Sequence, residues 1–206
     1  MRLFDRRLVL ALGLALSLTA CNKGGATAAS SDDMTLGNPD AKVTVVEYAS
    51  ASCSHCAKWN EEVFPAFKAK YVDTGRVHYV FREFLTSPIE LASAAFLMAR
   101  CAGKDKYFNV VDAVFRAQPV MYQTGDYRGE LLRIANSAGM SEQQFTQCIR
   151  DDEALKALNA RVERAVEDEN ISGTPTFVIN GKTAASGEMT LEQLDKAITE
   201  AEAAAK

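Results

Sequence analysis

Hydrophobic and polar positions along the chain fall into two registers, one of period two and one of period near 3.6. Val43 to Tyr48 (VTVVEY) is rich in β-branched residues and follows the turn-forming Gly37-Asn38-Pro39-Asp40, so it reads as a strand. In the segment AKWNEEVFPAFKAKYVD that comes soon after, Trp59, Val63, Phe64, Phe67 and Tyr71 recur at helical spacing. Pro65 falls inside this pattern. Because the periodicity resumes beyond it, a kinked rather than an ended helix is expected, closed by Gly75. Val77 to Phe81 (VHYVF) is a second strand, and a strand–helix–strand unit implies parallel pairing.

From Pro88 the pattern is helical for about 80 residues. Ile89 to Cys101 forms one helix, ended by Gly103. Tyr107, Val110, Val111, Val114 and Phe115 mark a second, and Arg128 to Ala138 a third, ended by Gly139. Ser141 with Gln144 forms a capping box that opens a fourth. Leu155, Leu158, Val162 and Val166 stripe a fifth. After Gly173 the strand pattern returns at Thr176 to Ile179 (TFVI), followed by the hairpin signal Asn180-Gly181 and a short run at Thr183 to Ala185. A second capping box, Thr190 with Gln193, precedes an amphipathic helix carrying Leu191, Leu194 and Ile198. The order is β-α-β, a helical block, then β-β-α. That is an α/β chain with the outline of a thioredoxin fold and an inserted helical domain.

The first twenty residues fit neither period. MRLFDRR is basic, and Leu8 to Leu18 is an apolar run of about 11 residues. At about 1.5 Å per helical residue it falls short of a bilayer core of about 30 Å, and behind a basic start it reads as the core of a signal peptide. Leu18-Thr19-Ala20-Cys21 resembles the lipobox of bacterial lipoproteins, which implies lipidation at Cys21 and attachment to a membrane. Cleavage at a small residue nearby is the plainer alternative, and Arg6-Arg7 leaves twin-arginine export beside the general route. The small, polar stretch from Asn22 to Asp33 reads as a flexible tether. The expected organisation is a signal peptide over 1–20, a tether over 21–34, a thioredoxin-fold domain over 35–87 and 171–206, and a helical domain over 88–170.

Charge narrows the partners. The 206-residue chain carries a net charge of -4. Residues 1–20 contain three arginines and one aspartate, so the processed chain would be more acidic still. With no basic run, nucleic acid is not an expected partner.

Five cysteines supply the candidate chemistry. Cys21 belongs to the export signal, which leaves an even number in a disulfide-permissive compartment. Cys53 and Cys56 form a CxxC pair directly after the first strand. A tetrahedral zinc site needs four ligands, whereas Cys101 and Cys148 are lone cysteines and His78 lies within a strand, so no metal and no cofactor is expected. A purely structural bond across so small a loop adds little chain-entropy stabilisation. Redox chemistry fits better. At a helix N-terminus the free backbone N–H groups and the helix dipole favour an anion, so Cys53 should ionise readily and act as the nucleophile. Cys56, one turn along, should resolve the mixed disulfide.

The stretches GNPDAKVTVVEYASASCSHC and GTPTFVINGK, with the helical block between them, resemble the DsbA-like thioredoxin family of bacterial exported disulfide oxidoreductases over about residues 35 to 203. The resemblance implies a monomeric oxidase that passes disulfides to unfolded or reduced exported proteins and is recharged by a DsbB-type membrane protein. It implies that the His55 imidazole stabilises the Cys53 thiolate, as in the family's Cys-Pro-His-Cys; Ser54 stands here in place of the proline. It implies a cis peptide at Thr174-Pro175, with the Thr174 backbone free to pair with substrate. Glu47 matches an acidic residue the family buries near the cysteines, a proton carrier for Cys56; a surface glutamate is the alternative. Some related chains bond two cysteines in the helical block, and a Cys101–Cys148 bond would stabilise by ~4 kcal/mol on the chain-entropy account. Two unconnected buried thiols are the alternative. An isomerase or reductase on the same fold, or a redox-inactive binding module or chaperone, are the competing functions.

Overall fold

The computed structural model describes residues 29–167 and 169–205. The signal peptide, Cys21 and most of the tether therefore lie outside the described residues. Five strands, β1 (Met34–Gly37), β2 (Val43–Ala49), β3 (Val77–Glu83), β4 (Thr176–Ile179) and β5 (Lys182–Ser186), form one sheet in the order β1-β3-β2-β4-β5. The central β2 pairs with β3 in parallel and with β4 antiparallel. The connection from β2 to β3 is α1 (Ser54–Glu62), α2 (Phe64–Phe67) and a π-helical turn over Lys68–Val72. The expected single kinked helix is thus three joined pieces. Pro65 at the start of α2 has no N–H to give the preceding turn, and the backbone of Val63, at the junction, still bonds to Trp59.

The helical block fills the chain between β3 and β4. It consists of α3 (Ile89–Cys101), α4 (Lys104–Thr124), α5 (Tyr127–Ser137), α6 (Glu142–Ile149) and α7 (Asp152–Glu167), and α8 (Leu191–Ala204) closes the fold after β5. Both expected capping boxes form, Ser141 with Gln144 and Thr190 with Gln193. Asn180 and Gly181 turn the β4–β5 hairpin with φ of 45° and 79°, the left-handed geometry that a two-residue hairpin requires. Among the described residues, no helix is long and apolar enough to cross a membrane.

Alternation along the central strands sorts the core. Val45 and Ala49 of β2, Tyr79 and Phe81 of β3, and Phe177 and Ile179 of β4 face the larger cluster with Trp59, Phe67, Phe96 and Tyr107. Val46, Tyr48, Val80 and Val178 face a smaller cluster with Ala165 of α7. The α7 stripe differs from the expected one: Leu158 and Ala165 are buried, whereas Val166 is 47% exposed. Two turns of helix separate 158 from 165, so they share a face, and one further residue rotates Val166 outward.

Two findings depart from the expected organisation. Met34–Gly37 is an edge strand antiparallel to β3, beginning at the expected end of the tether, and the expected turn follows it, with the Ala41 N–H donating to the Asn38 carbonyl at 3.1 Å. Gly37 has φ of 86°, and a Cβ there would fall 2.4 Å from the Val77 carbonyl oxygen, so only glycine fits. The segment before it is tied down as well: Asp33 pairs with Arg82 at 3.1 Å, and the Asp32 carbonyl accepts from Arg100 at 2.9 Å. The second finding is Glu83 at the end of β3, which is buried. Its carboxylate accepts from Arg100 of α3 at 2.7 Å, Tyr107 of α4 at 2.9 Å and Arg161 of α7 at 2.6 Å, bolting three helices of the block to the sheet.

Candidate active site

The site begins where β2 stops. Ser50, Ala51 and Ser52 carry the chain from the strand to α1, and each is fixed by contacts across the fold. Ser52 Oγ donates to the Thr86 carbonyl at 2.8 Å, and the Thr86 N–H donates to Ser50 Oγ at 3.2 Å. From the helical block, Gln118 Nε2 donates to the carbonyls of Ala51 and Cys53 at 2.9 and 3.3 Å, and the Tyr122 hydroxyl donates to the Ser52 carbonyl. The strand end and α4 thus hold the turn from opposite sides, and Cys53 emerges as the N-cap of α1.

Cys53 has extended backbone angles, φ -84° and ψ 118°, and its sulfur accepts the Cys56 N–H at 3.3 Å. A thiol here does what Ser or Asp does at other helix starts, and the arrangement favours the anion. Its pKa is lowered to about 6. The largest cause is the hydrogen bond from the Cys56 thiol; partial burial opposes it, and the Thr174 side chain with the backbone N–H groups of Cys56 and His55 adds to the lowering. Cys56 is fully buried, and burial pushes its thiol up, with Cys53 and Glu47 adding to the rise. The two sulfurs are chemically unequal: one is half-buried and acidic, the other buried and basic.

The Thr174–Pro175 peptide bond is cis. Thr174 lies against Cys53, whose thiol donates to the Thr174 carbonyl at 3.3 Å. The Thr174 hydroxyl oxygen is buried with no hydrogen-bond partner among the described residues, so its hydrogen remains available to a thiolate.

Glu47 is buried on the face of β2 that looks into the larger core, and Tyr79 from β3 donates to it at 2.5 Å. Burial raises its pKa to about 8, against the lowering by Tyr79. At neutral pH it therefore holds a proton. The surface alternative for Glu47 does not hold.

His55 is not where the family resemblance implies. Its imidazole is exposed, and Nδ1 lies 2.7 Å from Glu188 Oε1. What His55 gives Cys53 is its backbone N–H, not its ring. The carboxylate of Glu188 accounts for the difference, because it lies within hydrogen-bond reach of the ring. His78 is buried in β3 and takes no part in the site.

Cys101 at the end of α3 and Cys148 in α6 are bonded, with their Cα atoms 6.0 Å apart. Sequence reasoning missed Gln118, Tyr122, Ser50, Ser52 and Glu188. Gln118 carried a legible signal, because it continues the apolar stripe of Val111, Val114 and Phe115 as a polar residue. The others carried none, since their partners are distant in the chain.

Residues 29–200 match the thioredoxin family. A putative protein-disulfide oxidoreductase of Rickettsia bellii is 34% identical over 151 residues, which is 73% of this chain and 58% of that protein. A probable disulfide bond formation protein D of Bacillus anthracis is 26% identical, over 79% of this chain and 76% of that protein. Among solved structures, alpha-DsbA1 of Wolbachia pipientis superposes with a TM-score of 0.78 at 29% identity, covering 86% of this chain and 94% of that one. The chain spans about three-fifths of the length of the rickettsial relatives it matches.

Proposed function

The chain belongs to the DsbA-like thioredoxin family, and from that premise we propose that it is a thiol:disulfide oxidoreductase that forms disulfide bonds in exported proteins. The observation that carries this reading is the acidic, half-buried Cys53 sulfur at the N-terminus of α1, facing the Thr174 carbonyl with buried Cys56 behind it.

The chemistry follows from the inequality of the two sulfurs. In the oxidised enzyme a substrate thiolate attacks Cys53 Sγ, the Cys53–Cys56 bond breaks, and its electron pair leaves on Cys56. Buried Cys56 holds a proton far more readily than a charge, and protonated Glu47 can supply one. A second substrate thiolate then attacks the substrate sulfur of the mixed disulfide. Cys53 leaves as a stabilised thiolate, which makes it a good leaving group, and the substrate carries away the new bond. The Thr174 backbone beside the sulfur gives the substrate chain a place to pair as an added strand. The two electrons left on the enzyme pass to a membrane reoxidant of the DsbB type.

The helical block favours a monomeric oxidase over an isomerase, which typically holds its substrate between two subunits. The sequence of residues 1–21 supports export to the periplasm with a lipid anchor at Cys21. Replacing Cys21 with serine should release the protein from membranes.

The test of the activity is equilibration with glutathione, together with oxidation of a reduced, unfolded protein. An oxidising potential and catalysed substrate oxidation, both lost in Cys53→Ser, are expected. A potential close to that of thioredoxin with no substrate oxidation would assign reductase or isomerase activity instead.

A further inference from the structure

The short loop between β5 and α8 is fixed to the active site at two points. Gly187, with φ of 121°, donates its N–H to the Pro175 carbonyl at 2.7 Å. Two residues on, the Met189 carbonyl accepts from the buried Trp59 Nε1 of α1 at 2.9 Å. Glu188 stands between these anchors. Its backbone is held to the cis-proline segment on one side and to the cysteine-bearing helix on the other. Its carboxylate takes the His55 imidazole on Oε1 at 2.7 Å and the Lys58 ammonium on Oε2 at 3.0 Å. The Glu188 side chain is 26% exposed, whereas the ring it holds is 72% exposed.

An ion pair this exposed contributes little to fold stability. Its consequence lies in what it withholds. A histidine two residues after the reactive cysteine has a ring N–H that could reach the sulfur. Here the carboxylate engages the ring, and the Cys53 sulfur has its hydrogen bonds with the Cys56 N–H and the Thr174 carbonyl. Lys58 is engaged by the same carboxylate, at 3.0 Å. Glu47 beneath the cysteines adds no compensating positive charge.

We infer that Glu188 is a positioning residue that sets the oxidising power of the Cys53–Cys56 pair by keeping the His55 imidazole paired to its own carboxylate instead of to the Cys53 sulfur. This rests on the oxidoreductase reading above. Removing Glu188 frees the ring to stabilise the thiolate, which stabilises the reduced form and makes the disulfide a stronger oxidant. The loop is thereby a site where one substitution tunes the enzyme without touching either cysteine.

The experiment measures the glutathione equilibrium and the thiolate titration of wild type, Glu188→Ala, His55→Ala and the double variant. Glu188→Ala should shift the equilibrium toward the reduced protein by about threefold or more and move the thiolate midpoint to lower pH. His55→Ala alone should change little, and in the double variant the effect of Glu188→Ala should disappear. An equal effect with and without His55 would overturn the proposal, because Glu188 would then act through its charge or through Lys58. Absence of any effect would overturn it too. Should Glu188→Ala fail to fold, Glu188→Ser, whose side chain is too short to reach the ring, gives the same comparison. A wild type that neither equilibrates with glutathione nor oxidises a reduced protein sinks the oxidoreductase reading and this one together. A wild type that does both, with unchanged variants, sinks this one alone.

Discussion

The sulfur of Cys53 lies 3.3 Å from the carbonyl oxygen of Thr174, across 121 residues of sequence. The two are supplied by opposite ends of the thioredoxin-fold domain, and the whole helical block intervenes in the chain. The contact exists because β2 and β4 are hydrogen-bonded neighbours, with Tyr48 opposite Thr176, so the end of one strand and the approach to the other meet at the same edge of the sheet.

Cys53 should titrate near pH 6, read by the ultraviolet absorbance of its thiolate in the reduced protein. Brief alkylation at mildly acidic pH should label Cys53 and spare Cys56, which is buried and whose thiol is pushed up. Mass mapping decides the matter, and preferential labelling of Cys56 would reverse the assignment of roles.

Gln118→Leu should destabilise the protein by about 1–3 kcal/mol, because the carbonyls of Ala51 and Cys53 lose their donor. The turn that presents Cys53 should loosen, and the rate of substrate oxidation should fall more than the reduction potential changes. Thermal melting and the two redox assays check this. An unchanged melting temperature would mean that other donors serve those carbonyls.

The Cys101–Cys148 bond joins α3 to α6, away from the reactive pair. Replacing both with alanine should cost up to ~4 kcal/mol of stability on the chain-entropy account, and the Cys53 titration should stay in place. A peptide map of the oxidised protein linking either residue to Cys53 or Cys56 would refute the pairing.

The sequence made the helices legible because their cues are local. Stripe, cap and stop occur within a few residues, and Ile89–Cys101 was readable to its ends. The same holds for the CxxC pair and Thr174-Pro175. Strand β1 escaped because the alternation of Met34 and Leu36 with Thr35 and Gly37 is too short to stand out and its partner lies more than forty positions away. His55 escaped for a different reason. Its position in the loop was legible, but the direction of its ring is decided by Glu188, a residue 133 positions on that only the hairpin after β4 brings near. Glu83 and its two arginines escaped likewise, since a buried charge cluster is visible only once the helices are packed.

Glu47 should contribute a pH dependence that is missing when it is replaced. Burial raises its pKa from the ordinary carboxylate range to about 8. Between the unfolded and folded values the native state binds a proton that the unfolded chain has lost, so stability falls as pH rises through this window. The contribution is complete below about 4.5, the unperturbed value, and is lost on reaching about 8. Glu47→Gln keeps the hydrogen bond with Tyr79 and cannot ionise. It should match wild type in stability near pH 4 and exceed it by up to a few kcal/mol near pH 8. The same change deprives Cys56 of its nearby proton source, so the step that releases Cys56 should slow. Denaturation of the oxidised protein across this pH range removes the titration of Cys53 and Cys56, and Glu169, which burial raises to about 7, titrates in variant and wild type alike and cancels in their difference. A parallel pH dependence in the variant and the wild type would show that Glu47 is not the titrating group.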